Sequence, residues 1–271
     1  MPELPEVHTI VAELNRQVLR RRILSCRIAR AQSIHGESED FVRSVTGKKI
    51  GKVERRGKYI LFGLDRNIGI VAHLRMTGKF VVSSKFCRYR RHDRVALLLD
   101  DNRKIVFNDP RCFGRLEVCD NIAEHPGIKK LGWEPWDGEV SVSNLLSSLK
   151  GKTAPIKNLL MDQALIAGIG NIYASEMLYD AKIDPFRESN SLNGREIARL
   201  IRSMRHTLEE AIACNGTSVS NYRRVDDKTG DYQNFLKVYG REGKECPRCM
   251  TPILREKQNQ RSTFLCPNCQ R

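Results

Sequence analysis

The sequence predicts a multidomain α+β fold. An N-terminal helix runs into a β-sandwich, a helical domain follows, and a small β-hairpin closed by four cysteines ends the chain. Three observations predict it. Apolar residues recur at helical spacing only up to about Arg20, then sit in short β-branched runs to about residue 120, then return to helical spacing. Turn residues punctuate each short run. Two C-x-x-C pairs stand near the C-terminus. A chain of 271 residues is ample for more than one core. The expected divisions are residues 1–130, 131–236 and 237–271.

The first helix follows from Val7, Ile10, Val11, Leu14 and Val18, with Pro5 in the first turn, where its missing N–H costs nothing. The segments "RILSCRIAR", "KKIGKVERR", "KYILFGLD", "IGIVAHLRM", "GKFVVSS", "RVALLLD", "KIVFND" and "RLEVCD" read as strands, and "DDNR" as a hairpin turn. The whole stretch from the first helix to about residue 120 is therefore a sandwich or barrel. "EHPGIKKLGWEPWDGE" is a connector rich in Pro, Gly and Trp. Leu145, Leu146 and Leu149 mark one helix, Ile156, Leu159 and Leu160 another, and "IYASEMLYDA" a third after the "GIGN" interruption. Asn193 with Glu196 forms a capping-box start for a long helix carrying Ile197, Leu200, Ile201, Met204, Leu208 and Ile212. Residues 217–236 lose all periodicity and read as a long functional loop.

Cys246 and Cys249 form one C-x-x-C pair, and Cys266 and Cys269 the other, with sixteen residues between the pairs. That spacing brings two knuckles onto one tetrahedral Zn²⁺ through a hairpin whose strands are "PILREK" and "RSTFL". Asn259 at the tip suits a left-handed turn residue. Four thiolates complete the shell, so the metal is structural. The remaining five cysteines are scattered and read as free thiols of a reducing compartment.

Lys and Arg number 47 against 32 Asp and Glu, a net charge of +15. The surplus clusters in "LRRR", "ERRGK" and "KFCRYRRHDR", which points to a polyanionic partner, nucleic acid first. No apolar run approaches the ~20 residues of a membrane span, and the N-terminus lacks a signal-peptide pattern. The expectation is a cytoplasmic monomer without membrane contact.

The chain opens "MPELPEV". Removal of Met1 would leave Pro2 with a free secondary amine. An α-amino pKa of roughly 7.7–8.0 leaves an appreciable neutral fraction at physiological pH. Such an amine can attack a sugar C1′ and give an iminium, a strong electron sink. Glu3 beside it can protonate the ring oxygen or the departing group.

Taken in order, "MPELPEV", "RRGKYILF", "HLRMTGKF", "NDPRCFGR", "LGWEP", "GIGNIYASE", "VYGREG" and the four-cysteine finger resemble the formamidopyrimidine-DNA glycosylases, bacterial repair enzymes for oxidised purines. The resemblance covers the whole chain. It implies a helix–two-turns–helix module in the helical domain. It implies base excision coupled to strand cleavage on double-stranded DNA holding oxidised purines (8-oxoguanine, formamidopyrimidines) or abasic sites, and a nucleoid-associated location. Pro2 resembles the family's Schiff-base nucleophile, Glu3 its proton donor and Glu6 a supporting acid. Lys58 resembles the lysine of the β-elimination step, and Arg261 the finger arginine of the δ-elimination step. Met76, Arg111 and Phe113 match the trio that fills the gap left by an extruded base. His73, His92, Lys152, Lys157 and Asn171 fall where the family contacts DNA. The loop 217–236 resembles the segment that closes over the flipped base.

His8 departs from the family's usual Glu, and the hairpin tip "QNQRST" lacks the common double glycine. Two rival readings remain. One is the sister enzyme for oxidised pyrimidines; the other is a zinc-finger DNA-binding protein without chemistry.

Overall fold

The computed structural model describes residues 1–65, 68–218, 225 and 229–271. They divide into two compact units, residues 1–129 with 214–231, and residues 130–213 with 232–271.

In the first unit, helix α1 (Leu4–Val18) buries Val7, Ile10, Leu14 and Val18, the stripe its periodicity predicts. Two antiparallel four-stranded sheets follow. One has the order β1 (Ile23–Ile28), β6 (Asp93–Leu99), β7 (Arg103–Asn108), β5 (Lys79–Ser84). The other has the order β2 (Ile50–Arg56), β3 (Tyr59–Leu64), β4 (Gly69–His73), β8 (Arg115–Cys119). Each strand matches one of the eight β-branched runs. Phe62, Phe80 and Phe107 stack through the core, with successive centroids 5.4 Å apart, and α1 packs into the same cluster. The turn after β6 closes through Asn102 at φ 65°. Helix α2 (Ser38–Val45) departs from the expected uninterrupted β-region. Its signal is short: Phe41 and Val45 one turn apart, with Glu39 and Asp40 in the first turn.

The second unit is helical. It holds α4 (Val142–Leu149), α5 (Ile156–Leu160), α6 (Asn171–Asp180) and α7 (Gly194–Ala213), after a short α3 (Pro126–Lys129) at the end of the first unit. The capping box on α7 forms as expected. Asn193 Oδ1 accepts from the N–H groups of Arg195 and Glu196, while the N–H of Asn193 donates to Glu196 Oε2 at 2.9 Å. Helix α6 carries a buried acid, Glu176, whose oxygens accept the N–H groups of Lys237, Val238 and Tyr239 at 2.8–3.0 Å. Burial pushes its pKa up and those three donors oppose the rise. Glu176 thereby fixes the chain as it enters the hairpin β9 (Leu254–Gln258) and β10 (Arg261–Leu265).

Residues 214–231 belong to the first unit rather than joining α7. The physical reason lies on α1, where Glu6 and Glu13 hold them (below). The expected closing loop 217–236 falls in part, at 219–224 and 226–228, outside the described residues. No described helix is long and apolar enough to cross a membrane.

Candidate active site

The N-terminus is built around α1. Glu3 and Glu6 form a reciprocal capping box at its start, with the Glu3 N–H donating to Glu6 Oε2 at 2.8 Å. The second oxygen of Glu6 accepts the N–H of Thr217 at 2.7 Å. Gly216, at φ +80°, lies so close that a Cβ there would stand 2.7 Å from Glu6 Oε1, so this approach requires glycine. Two turns on, Glu13 Oε2 accepts the N–H of Val225 at 2.8 Å. The first helix thus orders both the N-terminus and a segment about two hundred residues later.

Pro2, Glu3 and Glu6 are all buried. Burial holds the Met1 amine below its ordinary pKa; Lys58 acts in the same sense, and Glu3 and Glu6 oppose it. Lys58 itself is buried in the two-residue turn from β2 to β3, where Gly57 at φ 54° supplies the left-handed residue. Amine, two carboxylates and an ammonium therefore share one electrostatic neighbourhood.

The second cluster of the first unit contains Met76, Arg111 and Phe113. Met76 is 45 % exposed and Phe113 49 % exposed, and the Arg111 guanidinium lies 4.5 Å over the Phe113 ring. Solvent exposure rules out ordinary core packing for these side chains. Asp109, 0 % exposed, organises them. It accepts from the Thr77 hydroxyl, from the Arg111 N–H at 3.2 Å and from the Gly114 N–H at 2.8 Å. Both loops bend through left-handed residues, Arg75 at φ 53° and Cys112 at φ 55°. The sequence reading did not single out Asp109; its signal was the "NDP" turn chemistry ahead of Arg111.

His73 packs edge-on against Tyr59, with centroids 4.7 Å apart. Its Nδ1 accepts the Arg75 N–H at 3.0 Å. Burial, with Arg75 and Lys58, pushes its pKa down to about 3. It is neutral at physiological pH, and its remaining Nε2–H can donate. His92 lies near the second cluster, its carbonyl accepting the Asp109 N–H at 3.0 Å.

The second unit brings Lys157, Asn171 and Arg261 to the hairpin. Lys157 is 1 % exposed, and its Nζ donates to Thr263 Oγ1 at 2.7 Å and to the Ser262 carbonyl at 3.2 Å. Asn171 opens α6 and donates to the same carbonyl at 2.9 Å, while its buried Oδ1 has no partner among the described residues. Both residues thus clamp the strand that carries Arg261. Asn259 at φ 45° and Gln260 at φ 61° make the tip turn without glycine. Lys152 stands apart, exposed in the turn after α4.

The four cysteine sulfurs lie within 4.8 Å of one another, and none is in a disulfide. Cys246 and Cys269 stand 3.9 Å apart, Cys249 and Cys266 3.4 Å. These separations fit a tetrahedral Zn²⁺ with Zn–S of ~2.3 Å. Tyr179 of α6 places its hydroxyl 3.2 Å from Cys246 Sγ, a supporting contact that no sequence spacing reveals.

Comparisons with known proteins extend this picture. The chain matches the formamidopyrimidine-DNA glycosylase N-terminal domain over residues 1–116 and the formamidopyrimidine-DNA glycosylase H2TH domain over residues 131–223. Residues 243–271 match the zinc finger found in FPG and IleRS. It is 41 % identical over 273 residues to the formamidopyrimidine-DNA glycosylase of Desulfitobacterium hafniense and 38 % identical to that of Listeria monocytogenes, covering all of both chains in each case. Among solved structures, an FPG mutant of Lactococcus lactis in complex with DNA containing Fapy-dG superposes with a TM-score of 0.94, at 34 % identity and full coverage of both chains. The Lactococcus lactis Fpg bound to abasic-site DNA gives 0.93 at 34 % identity, with 99 % of each chain covered.

Proposed function

The chain belongs to the formamidopyrimidine-DNA glycosylase family, and on that premise we propose that Pro2, once Met1 is removed, is the nucleophile of a coupled glycosylase and AP lyase reaction. It is a base-excision repair enzyme and holds one structural zinc. Its partner is double-stranded DNA with oxidised purines or abasic sites. We read 8-oxoguanine and formamidopyrimidines as the excised bases, and a monomer in the bacterial cytoplasm, at the nucleoid, as the working form.

The observation that carries the mechanism is buried Pro2 beside buried Glu3, Glu6 and Lys58, next to a terminal amine that burial holds below its ordinary pKa. The neutral amine attacks C1′ of the extruded nucleotide. The glycosidic bond breaks, and the base leaves with the proton that the attacking nitrogen gives up. Glu3 protonates the sugar ring oxygen as the ring opens, and the nitrogen lone pair forms an iminium to C1′. Loss of a C2′ proton, with Lys58 serving this step, expels the 3′ phosphate. Loss of a C4′ proton then expels the 5′ phosphate, with Arg261 holding that group. Zinc takes no part in these steps.

Borohydride reduction tests the reading. The enzyme should become covalently attached to abasic-site DNA through Pro2, whereas a DNA-binding protein without chemistry would remain free. Peptide mapping that placed the adduct on Lys58 would remove Pro2 from its role.

Met76, Arg111 and Phe113 fill the stack vacated by the extruded base, which offsets part of an unstacking cost of a few kcal/mol. Arg111 can only donate, so it reads acceptors on the orphaned partner. Asp109 acts through them as a positioning residue. Asp109→Ala and Phe113→Ala should slow excision from lesion duplex about 10-fold or more, yet affect cleavage of a pre-formed abasic site less, because no base need be extruded there. The readout is the ratio of the two rates. Equal losses on both substrates would assign these residues to the fold instead.

A further inference from the structure

The hairpin of β9 and β10 is held at two ends by different means. Its zinc end rests on the small core of Val238, Ile253 and Phe264 with the cysteines. Its tip end has no such core. Of the five residues of β9, only Gln258 is buried. Gln258 ends that strand and pairs across the tip with Arg261, the first residue of β10. Between them Asn259 and Gln260 both have positive φ, 45° and 61°. This is the two-residue turn in which Asn-Gly is the favoured pair. Asn259 suits it, but Gln260 carries a Cβ into the left-handed region, where it is disfavoured. Turn chemistry alone does not hold this tip.

A buried polar relay does. The Lys157 ammonium can only donate. Its Nζ lies 2.7 Å from Thr263 Oγ1, so that hydroxyl accepts from the lysine and turns its own hydrogen to Gln258 Oε1, 3.2 Å away. The direction of the Gln258 amide follows. Its oxygen faces Thr263, and its Nε2 donates at 3.3 Å to the carbonyl of Pro185, in the turn after α6. The same carbonyl accepts the main-chain N–H of Lys157 at 3.4 Å. The relay thus leaves Lys157 through its side chain and returns to its backbone. Lys157, Thr263 and Gln258 are all buried. At that depth an unmade hydrogen bond is costly, so Gln258 is confined to one orientation. Arg261, across the turn, is exposed.

We propose that Gln258 is a positioning residue for Arg261: it locks the glycine-free tip so that the guanidinium meets the phosphate expelled in the δ-elimination step. This role rests on the glycosylase reading above. In that step the C4′ proton passes to water, and the electron pair of its bond forms a C4′=C5′ double bond. The C5′–O5′ bond breaks, and the phosphate leaves with the bonding pair. A guanidinium already in place stabilises that charge as it develops. The preceding β-elimination is served by Lys58, in the first unit, and does not draw on the hairpin tip.

The test uses full-length, zinc-loaded protein in single turnover on an abasic-site duplex labelled at its 5′ end. The first product ends in a sugar remnant, and the second ends in a 3′ phosphate. Gln258→Met keeps the side-chain length and removes both hydrogen bonds. It should convert first product to second about 10-fold more slowly, as a displaced group far from the chemistry does. Its first cleavage, borohydride trapping and zinc content should equal wild type. Arg261→Ala sets the scale and should lose the second step at least as strongly. Gln258→Met/Gln260→Gly has the Asn-Gly tip that favours the same turn without an anchor, and its second step should return to within about 3-fold of wild type. A second step as fast in Gln258→Met as in wild type, with Arg261→Ala slow, overturns the role of Gln258 and leaves the glycosylase reading intact. So does a defect that Gln260→Gly leaves in place. Loss of zinc from Gln258→Met overturns it too, by assigning the residue to the folding of the whole finger. An unimpaired Arg261→Ala would instead strike the assignment of Arg261 on which this one rests, and failure of wild type to trap would strike the glycosylase reading.

Discussion

A protein carrying one extra residue ahead of Pro2 should lose covalent trapping and base excision together, by on the order of 10³-fold or more. An amide nitrogen at Pro2 has no lone pair to give. Pro2→Gly, correctly processed, should keep part of the activity, because a primary amine still forms an imine. The pH dependence follows from the site's electrostatics. The ammonium is the proton-bound form, and burial disfavours it, with Lys58 adding to the effect against Glu3 and Glu6. Pro2 is more deeply buried than Met1, so desolvation continues to act once it becomes the terminus. A lowered pKa means that the reactive neutral fraction grows at lower pH. The rising limb of the single-turnover rate should thus lie below the ordinary α-amino value of ~8. Lys58→Ala should move that limb to higher pH and also lower the plateau, since the same residue serves the elimination step. Full activity in protein whose intact mass retains Met1 would sink this mechanism.

The parts of this site that the sequence made legible are those with local causes. The strands, the capping box of Asn193 with Glu196, and the left-handed Asn259 each depend on residues a few positions apart. The four zinc cysteines are two local pairs joined by one hairpin. Glu6 was legible as a supporting acid only through the family resemblance. Its partner Thr217 stands 211 residues away, and that of Glu13 stands 212 away. No periodicity reports a backbone N–H at that separation. Glu176 left a faint trace as the sole acid within the apolar stretch "IYASEMLY", but its three donors arrive from residues 237–239. Lys157 shows the opposite limit. Resemblance put it among the DNA contacts, whereas the structure turns its ammonium to the strand that carries Arg261. Helix α2 was missed because two apolar residues one turn apart are too short a period to outweigh a run of strands on either side.

The second large effect expected is loss of the finger. Its own core is small: Val238, Cys246, Ile253, Phe264 and Cys266 packed with Tyr179, so two of the buried residues are themselves metal ligands. A core of that size cannot offset the entropy of ordering the hairpin, and metal binding supplies roughly 10–16 kcal/mol in isolated fingers. Cys249→Ser should therefore release the zinc and disorder residues from about 244 onward. The β-sandwich, whose core is separate, should keep its thermal transition. DNA affinity should fall about 100-fold or more, because Arg261 loses the turn that presents it and Lys157 and Asn171 lose the Ser262 carbonyl and Thr263 hydroxyl they hold. Arg261→Ala is the control. It removes one phosphate contact from an intact finger, so its salt slope should drop by only about 0.9 while zinc content stays at one per chain. The gap between the two variants measures what the metal contributes as a platform rather than through one side chain. Metal analysis, proteolysis and binding on the same samples decide the matter. A zinc-free Cys249→Ser protein that binds abasic-site duplex as tightly as wild type would show that the hairpin holds its shape without the ion.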